Sequence, residues 1–190
     1  MADNTQLITE QMSAARTTVG CSLLELSERS PLLVVFLRHS GCTFCRQALD
    51  DLARQRQRIE ALGVQIVIVH MDDIAKMQGL AAKYGLGDVV MVADPQQQVY
   101  QAFDLQRGNL WQILGPGVIW RGLKAALLER HGFGVPSADV RQLPGAFLVR
   151  HGKVERAFYH RTAADRPDYC SLSGRCSQGD PNQHPPAAGG

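Results

Sequence analysis

No apolar run among the 190 residues approaches the length that crosses a bilayer, so a membrane-spanning role is not expected. The opening stretch MADNTQLITEQ is polar and acidic and lacks a basic segment followed by an apolar one. A secretory leader is therefore not expected, and a soluble, cytoplasmic chain is. Charge of one sign is missing too: the net charge is only +2. Arg54, Arg56 and Arg58 form a local run, but they alternate with glutamine on an expected helix and suit a solvated face. Neither nucleic acid nor an anionic membrane is an expected partner. There is no internal repeat. The five cysteines are an odd number, which argues against a fully paired disulfide framework. In the reducing cytoplasm a disulfide would be transient and catalytic rather than structural. A second close cysteine pair is also lacking. Cys170 and Cys176 have five residues between them, in a polar and mobile segment, so the four-ligand spacing of a structural zinc site is not met. No metal or cofactor is expected.

The segments present alternate in type. Leu7, Ile8, Met12 and Ala15 recur at helical spacing and predict a short helix over 5–17. Leu32 to Leu37 are continuously apolar and rich in β-branched residues, as suits a strand buried on both faces. Ala48, Leu49, Leu52, Ala53, Ile59 and Leu62 then follow helical spacing, with Gly63 as the stop. VQIVIVH predicts a second buried strand, completing a strand–helix–strand unit of a parallel sheet. DDIAKMQGLAAKYGLG predicts a helix capped by Asp72 or Asp73 and ended by Gly85 or Gly87. VVMVAD predicts a third strand, and Asp94-Pro95 opens a helix through about Phe103. The stretch 105–140 is Gly-rich and irregular apart from a helix at Ile119 to Arg130. It is expected to be an insertion that caps the site or makes an interface, a homodimer among the options. LPGAFLVRHGKVERAFYH predicts an antiparallel hairpin, and SQGDPNQHPPAAGG at the end has the composition of a disordered tail. The expected division is an N-terminal helical extension (1–30), a core domain (31–169) and a disordered tail (170–190).

The chemistry concentrates in LRHSGCTFCRQ. Cys42 falls at the carboxyl end of a predicted central strand and at the first turn of the next helix, where reactive groups gather in open α/β sheets. Free backbone N–H groups and the positive helix end favour a thiolate there. Cys45 lies one turn later, where it can attack a mixed disulfide on Cys42. Two buried core thiols are the bland alternative, and this placement argues against it. Arg38 and His39 are close in sequence. Either cation would stabilise a Cys42 thiolate, and neutral His39 could take a proton from Cys45; equally, both could point to solvent. Cys21 is expected to be a small core residue, and His70, Trp111 and Trp120 packing residues.

CTFC followed at a distance by LPGAFLVRHG resembles the thioredoxin superfamily, in which a cis-proline entering the final hairpin faces the cysteine pair. That resemblance implies a cis bond before Pro144, which would shape the substrate groove. FLRHSGCTFCR is more closely similar to the peroxiredoxin-like family, relatives of the alkyl hydroperoxide reductase C and thiol-specific antioxidant group that includes selenoprotein L. Peroxiredoxins carry the pattern P-x-x-x-T-x-x-C. In this chain Arg38 stands at the proline position and Cys42 at the threonine position, which aligns Cys45 with the peroxidatic cysteine. Where peroxiredoxins use a strand arginine, this chain has Pro144. The buried acid that thioredoxin places six residues before its first cysteine is replaced by Phe36.

The resemblance implies an α/β thioredoxin-like fold: a central mixed sheet flanked by helices, with an insertion before the final hairpin. It also implies a thiol-dependent antioxidant or disulfide reductase. The expected reaction is thiol–disulfide exchange with Cys42 as nucleophile, Cys45 as resolver, and thioredoxin or glutathione as the cellular thiol donor. A hydroperoxide-reducing peroxidase, with Cys45 attacking, is the nearest alternative. A non-catalytic interaction module on the same fold is an alternative of another class.

Overall fold

Leu32–Phe36 (β1) is buried at all five positions, because helical layers cover both of its faces. The computed structural model describes residues 2–105, 142–162 and 164–174. In it β1 is the middle strand of a five-stranded sheet. Gln65–His70 (β2) pairs parallel with it, and Val90–Ala93 (β3) pairs parallel with β2. On the other side Gly145–Arg150 (β4) runs antiparallel to β1, and Lys153–Tyr159 (β5) antiparallel to β4. The sheet is therefore mixed, in the order β3-β2-β1-β4-β5.

The two-residue period of the strand sorts its side chains into two cores. Leu33, Val35 and Leu37 meet Thr43–Glu60 (α3), Ile74–Ala82 (α4) and the short Tyr169–Ser173 helix (α6). Leu32, Val34 and Phe36 meet Ala2–Ala14 (α1), Leu23–Arg29 (α2) and Gln98–Ala102 (α5). Among the described residues no helix is long and apolar enough to cross a membrane.

Local chemistry sets the boundaries. Gly63 and Gly85 take φ of +72° and +74°, ending the α3 and α4 segments as left-handed glycines do. Asp73 caps α4 by accepting from the backbone N–H groups of Ala75 and Lys76. The β4–β5 turn uses His151 and Gly152, both at positive φ, as a two-residue hairpin turn demands. Gly145, opposite Phe36 where β4 enters the sheet, has no room for a side chain. A Cβ there would sit 2.6 Å from Leu105 Cδ2, 3.1 Å from the Phe147 ring and 3.3 Å from the Phe158 carbonyl oxygen. Gly145→Ala is expected to cost about 1–3 kcal/mol by overpacking, read as a lower urea midpoint at an unchanged slope.

Several sequence expectations need correction. The helix expected from Asp94-Pro95 starts only at Gln98. Asp94 folds back instead, and its carboxylate accepts from the backbone N–H groups of Gln98, Val99 and Tyr100. Helix α2 was not anticipated, although Ser22 and Glu25 form a reciprocal capping box before it. The Leu143–Pro144 bond is trans, as are all the described peptide bonds. Pro144 stands just outside β4, where its missing N–H costs no ladder bond and trans is favoured by about 0.5–1 kcal/mol. The first residues of the expected disordered tail are helical and packed. Asp168 caps α6, the Cys170 N–H donates to Gln55 Oε1 on α3 at 2.9 Å, and Cys170 is fully buried. Cys170 is also disulfide-bonded, so it is not the mobile thiol that its polar surroundings suggested. The expected insertion with Trp111, Trp120 and its helix, and Cys176 with the rest of the tail, lie outside the described residues.

Candidate active site

The chain leaves β1 at Phe36 and enters α3 at Thr43, and backbone bonds fix the six-residue loop between them. The Leu37 N–H donates to Val69 O at 2.9 Å and the Met71 N–H to Arg38 O at 3.1 Å, prolonging the β1–β2 pairing. The buried Tyr100 hydroxyl donates to Leu37 O. Ser40 donates its N–H and its hydroxyl to Asp72 Oδ2, at 2.9 and 2.6 Å. Arg46 Nε donates to Ser40 O at 3.3 Å, so this arginine braces the loop. Cys42 is the N-cap of α3, and its N–H donates to His39 O at 3.1 Å.

This scaffold brings Arg38 onto the thiol pair. Arg38 Nη2 donates to Cys42 Sγ at 2.8 Å, and the Arg38 backbone N–H to Cys45 Sγ at 3.3 Å. Cys42 is 7% exposed, Cys45 3% and Arg38 5%, so neither the thiols nor the guanidinium points to solvent. Both cysteines are free thiols. The hydrogen bond from the Cys45 thiol is the main cause holding the Cys42 pKa well below its usual value; the Arg38 charge adds to it and burial opposes it. Cys45 is pushed well up by the same hydrogen bond, by burial and by the Cys42 charge. The two shifts run in opposite directions: Cys42 is the more acidic thiol of the pair and Cys45 the less. A thiolate at a helix N-terminus, next to a fixed cation and one turn from a second thiol, is equipped for nucleophilic redox chemistry.

His39 is 2% exposed. Burial lowers its pKa against the opposing charges of Cys42 and Asp72, so the imidazole is neutral at pH 7. A His39 charge, when present, still favours the Cys42 thiolate, though it contributes less than Arg38. Pro144 reaches the site because Gly145 pairs with Phe36. It walls a narrow cleft on the α6 side, which Cys45 also lines. The cleft encloses about 10 Å³. Cys21 packs on the opposite face of the sheet, among the α1 and α2 side chains, away from the pair.

Sequence reasoning missed the far wall of this cleft. His160, Asp165, Arg166 and Tyr169 line it, opposite Phe44, Cys45 and Asp51 of the α3 segment. Arg166 Nε donates to Asp51 Oδ2 at 2.9 Å, tying the segment after β5 to α3. The His160 pKa is lowered to about 4, by burial first, against the Asp165 charge. No short-range signal marks these residues, because they follow the cysteine pair by more than a hundred positions and meet it only through the β4–β5 hairpin.

A mixed sheet with this thiol pair at the carboxyl end of its middle strand defines a thioredoxin-like, thiol-dependent oxidoreductase or peroxidase. Comparison with known proteins narrows the class. A sequence profile of the AhpC/TSA antioxidant enzyme family matches residues 51–164, more than half of the chain, and the chain belongs to that family. The match begins after the CxxC pair. The chain is 23% identical over 143 residues to a prostamide/prostaglandin F synthase of Aquarana catesbeiana, covering 74% of this chain and 69% of that protein. It is 25% identical over 142 residues to peroxiredoxin-like 2A of Xenopus tropicalis, covering 72% of this chain and 58% of that one. Peroxiredoxin Q of Xanthomonas campestris superposes with a TM-score of 0.52 at 18% identity, over 76% of this chain and 77% of that one. Peroxidoxin BcpB of Mycobacterium tuberculosis superposes with a TM-score of 0.55 at 14% identity, over 84% and 86%. These structural likenesses establish the fold.

Proposed function

We propose that this chain reduces a small hydroperoxide with Cys42 as the attacking thiolate and Cys45 as the resolving thiol. The observation that carries the reading is the 2.8 Å contact from Arg38 Nη2 to Cys42 Sγ, with Cys45 protonated beside it. The Cys42 thiolate attacks one peroxide oxygen, the O–O bond breaks, and the departing alkoxide or hydroxide takes a proton, leaving a sulfenic acid. The buried Arg38 cation lies where negative charge develops on that oxygen. Cys45 then attacks the Cys42 sulfur. The S–S bond forms, the S–O bond breaks, and the oxygen leaves as water with the Cys45 proton. Two electrons from a cellular thiol donor such as thioredoxin or glutathione reopen the disulfide, which suits a reducing compartment such as the cytoplasm. Pro144 shapes the cleft wall beside Cys45, and His39 holds the loop through its carbonyl.

Disulfide reduction by the same pair is the second reading, favoured by a nucleophile and a resolver on one helical turn. Cys42 is nearly closed to solvent, however, and with a trans bond at Pro144 the thioredoxin-like groove for a polypeptide disulfide loses its support. The name of the Aquarana catesbeiana relative adds an organic substrate to the comparison.

Stopped-flow oxidation of the reduced protein by hydrogen peroxide, cumene hydroperoxide and oxidised glutathione, side by side, tests this. The peroxides are expected to react at least about tenfold faster, a barrier difference of ~1.4 kcal/mol. Cys42→Ser should be silent. Cys45→Ser should stop at a sulfenic acid that dimedone traps. A faster reaction with the disulfide would transfer the assignment to the second reading, and a sulfenic acid on Cys45 in the Cys42→Ser protein would reverse the two roles.

A further inference from the structure

Resolution requires Cys45 to give up a proton, and its bond to Cys42, burial and the Cys42 charge hold that proton in place. Oxidation of Cys42 removes both the charge and the hydrogen-bond acceptor, so the first chemical step makes the second thiol more acidic. The proton still needs a carrier. Phe36, six residues before Cys42, is apolar and faces the opposite helical layer, so no side chain at that position can serve.

We propose that His160 relays the Cys45 proton across the cleft, through a single water, as the Cys42–Cys45 disulfide forms. The inference rests on the reading that Cys45 is the resolver, and it holds whether the oxidant is a peroxide or a disulfide. His160 and Cys45 line the same cleft, and the cleft's 10 Å³ is the room of about one water. His160 is 8% exposed, and its Nδ1 is buried without a hydrogen-bond partner among the described residues. A buried imidazole nitrogen left without a partner is costly unless something in the working site uses it. The Phe158 ring stands perpendicular to the imidazole at 5.3 Å and limits its rotation. Asp165 supplies negative charge toward the ring. Its carboxylate is held by the N–H groups of Arg161 and Thr162 and by the Thr162 hydroxyl, at 2.7, 3.1 and 2.7 Å.

Asp165, the Thr162 backbone and Arg38 act on His160, and Cys45, Tyr169 and the Asp51–Arg166 pair line the same cleft. Burial dominates among them, which keeps the ring neutral at pH 7, so it holds the proton only while the sulfur–sulfur bond forms and does not persist as a cation. In the balanced step the Cys45 S–H proton passes through the water to His160. The Cys45 sulfur bonds to the Cys42 sulfur as the bond from Cys42 to the leaving group breaks; a leaving hydroxide takes the proton back, and with a weakly basic thiolate the water passes it to solvent. His160 ends neutral, and the only oxidation change is at sulfur.

Ellman's reagent isolates this step in the full chain. Cys42 first forms a mixed disulfide with thionitrobenzoate, and attack by Cys45 then releases a second equivalent that stopped-flow absorbance follows. Wild-type release should be nearly constant between about pH 5 and 8, because the carrier stays neutral throughout. His160→Gln is expected to slow release about 100-fold at pH 6, with a rate that climbs about tenfold per pH unit, and added imidazole should restore it. A wild-type rate and profile in His160→Gln would overturn the relay, and so would transfer of the whole effect to His39→Gln. If the His160 variant does not fold, the wild-type profile decides alone, since a tenfold rise per unit there means that no relay operates. Cys45→Ser keeps the two ideas apart. If it still releases the second equivalent at the wild-type rate, the resolver assignment fails, whatever His160 does.

Discussion

Arg38→Met is expected to slow oxidation of Cys42 by hydrogen peroxide about 100-fold at pH 7, the scale seen when one preorganised donor is removed from a developing oxyanion. Methionine keeps most of the arginine's length and is apolar, so packing is largely preserved while the buried Cys42 sulfur loses its counter-charge. Two losses are combined. A charge-assisted hydrogen bond worth about 1.5–3 kcal/mol disappears from the Cys42 sulfur, which raises its pKa. The departing oxygen also loses its cation. The bond from Cys45 survives, so Cys42 stays the more acidic thiol of the pair. Rates measured up to about pH 9 separate the two losses, because a higher pH restores the thiolate but not the leaving-group support. A plateau still well below wild type would place Arg38 on the leaving oxygen. Arg38→Lys should recover only part of the rate, since an ammonium cannot reproduce the fork of the guanidinium. An unchanged rate and pH profile in Arg38→Met would remove the observation on which the proposed function rests.

What was legible in the sequence is what depends on neighbours along the chain. Leu32 to Phe36 could be recognised as a doubly buried strand because continuous apolarity has few other uses in a five-residue segment. The place of Cys42 and Cys45 followed from the same local logic, a strand ending and a helix beginning around them. Arg38 was near enough in sequence to be named but not aimed; its direction comes from the loop, which Asp72 and Tyr100 hold from distant parts of the chain. His160 was not legible at all, since its proximity to Cys45 depends on the β1–β4 register carrying the hairpin beside α3. Helix α6 fails by composition. Its sequence YCSLS is short and polar, and its order comes from partners elsewhere: the Gln55 side chain, the Arg156 guanidinium bonded to Ser171 O, and the burial of Cys170. The Pro144 expectation fails for a different reason. Spacing identified a proline at a strand entrance correctly, but isomer choice depends on packing around the bond and not on spacing.

The fold should lose stability as pH falls from about 6.5 to about 4, by on the order of 3 kcal/mol for each of His70 and His160, with the buried His39 adding in the same direction. His70 closes β2 with no exposed surface. Its pKa is lowered to about 4 by burial, against the charges of Asp72 and Asp73. His160 is lowered to about 4 in the same way. Both are neutral in the native state well below the value, about 6.5, at which an unfolded histidine takes up a proton. In that window the unfolded state therefore binds more protons than the native one, and stability rises with pH. The contribution is complete above the unfolded value and is lost as pH drops to the folded one. Asp88, held at about 2 by its bond to Arg56, acts only below that window, so the two acid effects are separable. Urea unfolding at intervals from pH 7.5 to about 4 measures the slope. His70→Phe, which fills the site without titrating, should remove about a third to a half of it. A flat profile across the window in the wild-type protein would mean that these imidazoles are charged or solvated in the fold. The neutral acceptor that the relay needs would then be absent as well.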